Sequence, residues 1–134
     1  MTVDSRDAVG ANVRSHRDLL VWQKAMDLVD RIYDLTESFP AREGFGLTGQ
    51  ITRAVVSVPA NIAEGQARST AKDFANFLAI ARGSLMETET LLMVAVRRRY
   101  VSDADAGEAI SQITEVSKML TSLRNRIATR KGAR

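Results

Sequence analysis

The chain has 134 residues and a net charge of +3; it is 45% apolar but only 5% aromatic, with two prolines and no cysteine. That length fits one domain with a real core, and the missing cysteine excludes disulfides, thiolate metal sites and cysteine nucleophiles, as suits a reducing cytoplasm. No run approaches the roughly 20 apolar residues of a membrane span, and Ala, Leu, Ile and Val with few aromatics favour helix-on-helix packing.

Residues 1–16 lack the basic start and apolar run of a signal peptide and are expected to form a flexible N-terminal arm. The first helix is predicted from about Asp18 to Ser38. Trp22, Ala25, Met26, Val29, Tyr33 and Thr36 recur at three- and four-residue steps, and Val21, Leu28, Ile32 and Leu35 widen that face. Phe39-Pro40 ends it, because a residue before proline is pushed out of the helical region.

A second helix is predicted from Leu47 to Gly65, with Leu47, Ile51, Val55, Val58 and Ile62 as its apolar seam. Beside the seam runs a polar row of Gln50, Arg53, Ser57, Asn61 and Glu64, each residue a surface neighbour of the next. Pro59 is compatible with this helix as a kink that removes one hydrogen bond and crowds the Val55 carbonyl; Ser57 and Asn61 are placed to engage the freed backbone groups. Gly65 reads as a left-handed C-cap.

The third helix opens at Ser69 or Thr70, where Thr70 and Asp73 have capping-box spacing. Its seam is Phe74, Phe77, Leu78, Ala81, Leu85, Thr88 and Leu92, broadened by Ile80, Leu91 and Val94. Ser84 and Glu87 are predicted to meet the polar row of the second helix in a semi-buried network that fixes register, with Arg53 neutralising Glu64 or Glu87 and Gly83 allowing close approach. After Arg97-Arg98-Arg99, Ser102 caps a fourth helix that starts with Asp103 and Asp105 and continues through Ile110, Ile113, Val116, Leu120, Leu123 and Ile127. The expected organisation is an arm (1–16), an all-α antiparallel up-down-up-down four-helix bundle (17–130) and a basic tail (131–134). Wide apolar faces on the first and third helices point to a homo-oligomer.

Charge is unevenly distributed. Residues 124–134 hold five cations and no acid, which leaves 14 basic against 16 acidic groups elsewhere. The candidate polyanion contacts are Arg97, Arg98 and Arg99 together with Arg124, Arg126, Arg130 and Lys131. Trp22, Tyr33, Phe74 and Phe77 lie on core seams, so binding is expected through phosphates and salt-dependent, without a base-stacking platform. A catalytic pair of Glu64 and Glu87 has no constellation behind it, and His16 is the one histidine. Neither catalysis nor a metal or cofactor is expected.

Several segments in order carry a family resemblance: D-L-L-V-W-Q-K-A at 18–25, F-P at 39–40, G-L-T-G-Q-I-T-R-A at 46–54, S-V-P-A-N-I-A-E-G at 57–65 and F-A-N-F-L-A-I-A-R-G-S-L-M-E-T-E-T at 74–90. Over residues 17–127 the chain resembles the four-helix-bundle proteins associated with intervening sequences in bacterial 23S ribosomal RNA genes. That family is similar to the accessory variability determinant proteins of diversity-generating retroelements. The resemblance implies a ring-shaped homopentamer with a basic surface and, from the retroelement relatives, binding of RNA or DNA and of a reverse transcriptase. The alternative expectation is a scaffold that docks a partner enzyme without direct nucleic-acid function. Arg97-Arg98-Arg99 departs from the family pattern by making one bundle end more basic.

Overall fold

The computed structural model describes residues 15–132, apart from the side chains of 130–132. Those residues form four α-helices and no strand: α1 (Leu20–Thr36), α2 (Leu47–Gln66), α3 (Ala71–Arg97) and α4 (Asp103–Gly132). Short 3-10 turns at His16–Asp18 and Ala41–Glu43 precede α1 and α2. The first belongs to the ordered fold, because Ser15 and Asp18 close a reciprocal capping box around it and His16 packs edge-on against Trp22 at 5.0 Å.

All four helices feed one core. Ile51, Val55, Val58 and Ile62 of α2 are fully buried with Leu78, Ala81, Leu85 and Leu92 of α3 and Ile113, Val116, Leu120 and Leu123 of α4. The α1 contribution differs from the expected seam. Val21, Ala25, Leu28 and Ile32 are buried, whereas Met26 and Tyr33 are exposed. The wide apolar face of α1 therefore meets the core through its centre, and one flank remains in solvent.

Capping follows local chemistry at two helix starts. The Asp73 amide donates to Thr70 Oγ1 and the Asp105 amide to Ser102 Oγ, each at 3.1 Å. Pro59 lies inside a continuous α2. Ser57 Oγ donates to the Ala54 carbonyl and Asn61 Nδ2 to the Ser57 carbonyl, so neither takes up the Val55 oxygen that Pro59 deprives of a donor.

Gly65 corrects the expected left-handed cap. No described glycine has positive φ, and α2 continues through Gly65 to a right-handed Ala67. Gly65 is required by packing: a Cβ there would lie 2.7 Å from Phe77 Cβ and 3.0 Å from Phe74 Cδ1. The left-handed position falls instead on Arg99, at φ 64, after α3. There the Arg99 amide donates to the Val96 carbonyl and the Tyr100 amide to the Ala95 carbonyl, the paired bonds of a Schellman motif.

One end of the molecule is tied together by Tyr100. Its carbonyl accepts from Ser38 Oγ at 2.6 Å, its ring packs 5.7 Å from Phe39, and its hydroxyl donates to Glu43. The turn between α3 and α4 is thereby fastened to the end of α1 and the start of α2.

Candidate functional site

The predicted polar row makes its bonds locally along the chain and, among the described residues, none across to another helix. Ser57 and Asn61 bond to α2 carbonyls, Glu64 pairs with Arg68 one turn on at 3.1 Å, and Ser84 accepts Thr88 Oγ1 at its own carbonyl. Gln50, Arg53, Glu64 and Glu87 line the surface with at least part of each side chain in solvent. No ion pair joins Arg53 to Glu64 or Glu87 among the described residues. The expected register-fixing network between α2 and α3 is thus absent within one subunit, because solvent reaches these groups and leaves no buried charge to neutralise. Gly83 likewise faces open space, with nothing within 4 Å of where a Cβ would stand.

The two predicted arginine clusters have different surroundings. Arg97, Arg98 and Arg99 are exposed at the Tyr100 end of the fold. The same end carries Glu43, Asp103 and Asp105. Glu43 sits at its centre: Oε1 accepts the Leu47 amide at 3.1 Å and Oε2 accepts the Tyr100 hydroxyl at 2.9 Å. Those two bonds, the amide first, hold its carboxyl below the usual carboxylate range against an opposing desolvation, and the charges of Arg42 and Arg98 act in the same direction as the bonds. The arginines of this end therefore share it with at least three carboxylates.

The α4 cluster is different. Glu115 is the last acid in the sequence, and Lys118, Arg124, Arg126, Arg130, Lys131 and Arg134 follow it. Arg124 is exposed, with no hydrogen bond or ion pair among the described residues. Arg126 is held against the fold: it donates to Ser122 Oγ at 2.8 Å, and its Nε and second Nη are buried without a hydrogen-bond acceptor. An arginine committed in this way is a poor surface contact, which its sequence position alone does not reveal. The side chains of Arg130 and Lys131 lie outside the described residues.

On the flank of α4 that meets α1, cations are matched by acids. Arg31 pairs with Glu108 at 2.9 Å and donates to Gln112 Oε1, and Lys24 lies 3.8 Å from Glu115.

One exposed group was not anticipated. Phe45, between Gly44 and Gly46, is fully solvent-exposed at 103% of its reference area. It follows the braced Glu43, so the aromatic projects from a fixed loop. An apolar residue between two glycines and outside any periodic run was its signal in the sequence. Tyr33 is also 48% exposed, which removes it from the core seam assigned to it. Ile80, Met93 and Val94 of α3 and Val56 of α2 are exposed as well. Among the described residues no group of three His, Asp or Glu side chains could hold a metal ion, and no helix is long and apolar enough to cross a membrane.

Residues 17–122 match the family model described as 23S rRNA-intervening sequence protein. Among solved structures, the chain is similar to a protein of unknown function from the S23 ribosomal protein family of Bacteroides thetaiotaomicron VPI-5482. The two share 29% identity with a TM-score of 0.73, covering 78% of this chain and 98% of that one. No functionally curated protein matches.

Proposed function

The chain belongs to the 23S rRNA-intervening sequence protein family, and from that premise we propose a non-catalytic, homo-oligomeric nucleic-acid-binding module of the cytoplasm. The observation that carries the reading is the segregation of charge along α4. Acids on its first half meet α1 cations, whereas no acid follows Glu115 and the exposed Arg124 has no partner among the described residues. Cations without carboxylate partners are available to phosphates, and such contacts confer affinity with little sequence preference.

Within this reading the helices form an antiparallel up-down-up-down bundle. The support is that α1 runs from Arg31 back to Lys24 as its α4 partners advance from Glu108 to Glu115. The subunits assemble as a ring, a pentamer by resemblance, through apolar side chains that one subunit leaves uncovered, Ile80, Met93, Val94 and Val56 among them. Arg97, Arg98 and Arg99 serve as secondary phosphate contacts, since neighbouring carboxylates oppose a polyanion at that end.

A second reading, a scaffold that docks a partner enzyme such as a reverse transcriptase, is favoured by Phe45. A fully exposed aromatic on a braced loop has the form of an anchor for a partner's pocket.

Filter binding of RNA and DNA across a salt series tests the first reading. Retention at low salt that falls steeply with added salt is the expected result, and no retention of either polymer overturns it. Recovery of a protein partner after nuclease treatment, from a variant with the arginines neutralised, would favour the scaffold. Light scattering tests the assembly, and a monomer overturns the oligomeric part.

A further inference from the structure

We infer that the groove between α3 and α4 seats the phosphodiester backbone of a single nucleic-acid strand, gripped from its two walls by Arg82 and Arg124. The inference rests on the nucleic-acid reading above and gives it a location. The groove is open, about 340 Å³ in volume, and lined by Leu78, Ala79 and Arg82 of α3 and Leu120, Thr121 and Arg124 of α4. Leu78 and Leu120 are buried and form its floor, while both arginines and Thr121 are exposed along its rim.

Neither arginine makes a hydrogen bond or ion pair among the described residues. The acids nearest Arg82 in sequence on α3 are Asp73, Glu87 and Glu89. Glu87 lies on a different face at 100° per residue, and Glu89 is seven positions along, about 10 Å up the helix axis. On α4, Glu115 is nine positions before Arg124 and faces Lys24 of α1.

The contrast with the opposite flank of α4 gives the groove its meaning. Where α4 meets α1, Arg31 and Lys24 face Glu108 and Glu115. Where α4 meets α3, two guanidinium groups border the same space. Like charges across a helix-helix groove weaken the isolated subunit, and an anion between them reverses the sign of that interaction.

A phosphodiester fits the donor set: two planar guanidinium forks for its non-bridging oxygens, with the Thr121 hydroxyl beside them. The volume lies at the low end of the roughly 300–1,000 Å³ of enclosed ligand sites, and the open form suits one strand passing through. A nucleic-acid strand carries one negative charge per residue along a regularly spaced backbone. An acidic peptide offers fewer regularly spaced charges and is therefore the competing occupant.

The test uses the full chain and fluorescence anisotropy with labelled oligouridylate, oligothymidylate and oligoglutamate over a salt series. Wild type is compared with R82Q/R124Q and with R97Q/R98Q/R99Q, and circular dichroism melting checks that each is folded. If the groove carries two phosphate contacts, R82Q/R124Q loses at least tenfold in low-salt affinity. Its slope of log affinity against log salt becomes shallower by about 1.4, at about 0.7 per contact for a single strand. Should the double variant melt abnormally, R82Q and R124Q alone each reduce the slope by about 0.7.

Wild-type binding with an unchanged slope in R82Q/R124Q overturns this inference and leaves the nucleic-acid reading standing. Absence of wild-type binding to both oligonucleotides overturns both. Oligoglutamate binding that matches the oligonucleotides and is lost in R82Q/R124Q assigns the groove to acidic peptides and overturns the nucleic-acid assignment. Loss with only one of the two oligonucleotides supports the groove and identifies which of the two polymers it accepts.

Discussion

The Tyr100 hydroxyl donates to Glu43 Oε2 at 2.9 Å, joining the turn between α3 and α4 to the segment that starts α2. With Oε1 occupied by the Leu47 amide, one carboxylate links three parts of the chain.

This linkage has a defined pH signature. The folded Glu43 carboxyl titrates below its unfolded value, so its contribution to stability is fully present above the unfolded value and is lost as pH falls through the folded one. Glu43→Gln is expected to lower the thermal midpoint at neutral pH, with the gap to wild type closing as pH falls through the carboxylate range. Tyr100→Phe is expected to retain part of that dependence, since the Leu47 amide remains. Melting curves from neutral to acid pH check this; a constant gap for Glu43→Gln would overturn it.

Arg99 occupies a left-handed position where glycine is normally found. Left-handed backbone costs an L-residue about 1–2 kcal/mol, partly offset here by the freedom glycine has in the unfolded chain. Arg99→Gly is expected to raise stability in urea by about 0.5–1 kcal/mol while reducing low-salt nucleic-acid affinity slightly. A destabilised variant would argue that the Arg99 side chain holds the turn.

Gly65→Ala is expected to destabilise by about 1–3 kcal/mol, the usual range for overpacking. The added methyl would meet Phe77 Cβ at 2.7 Å and the Phe74 carbonyl at 3.3 Å, atoms fixed to the α3 backbone that cannot rotate away. Denaturant midpoints measure it, and a neutral result would mean that α2 and α3 can separate without loss.

Gly83 and Gly107 have open space where a Cβ would stand. Replacing Gly83, in mid-helix, by alanine is expected to stabilise the subunit by about 0.5–1 kcal/mol. If α3 meets a second copy through this face, Gly83→Ala weakens assembly while Gly107→Ala leaves it unchanged. Thermal melting and light scattering read the two effects separately.

The repeating apolar positions of α2 and α4, and the Leu78, Ala81, Leu85 and Leu92 seam within the wider face of α3, were legible because each recurs at three- and four-residue steps, and Thr70 and Ser102 were legible because capping is local chemistry. The core-facing part of α1 was less so. Its apolar face exceeds half a turn in width, and periodicity cannot say which part of such a face meets the neighbouring helices. Gly65 and Arg99 show a different limit. A glycine near a helix end suits a left-handed cap or a tight contact equally well, and only the position of Phe77 decides between them. The arginines were visible as a list of charges. That Arg126 turns toward the fold while Arg82 shares a groove with Arg124 depends on neighbours distant in sequence.

The two flanks of α4 should respond oppositely to dissolved ions. Added salt shortens the screening length from about 10 Å at 0.1 M to about 3 Å at 1 M. It therefore loosens the attraction of Arg31 and Lys24 for Glu108 and Glu115 on one flank and eases the mutual repulsion of Arg82 and Arg124 on the other. Salt is therefore expected to shift the melting of the subunit little while strongly weakening the proposed contact with a polyanion. Under the proposed binding mode, ionic strength would release the polyanion while leaving the fold nearly unchanged.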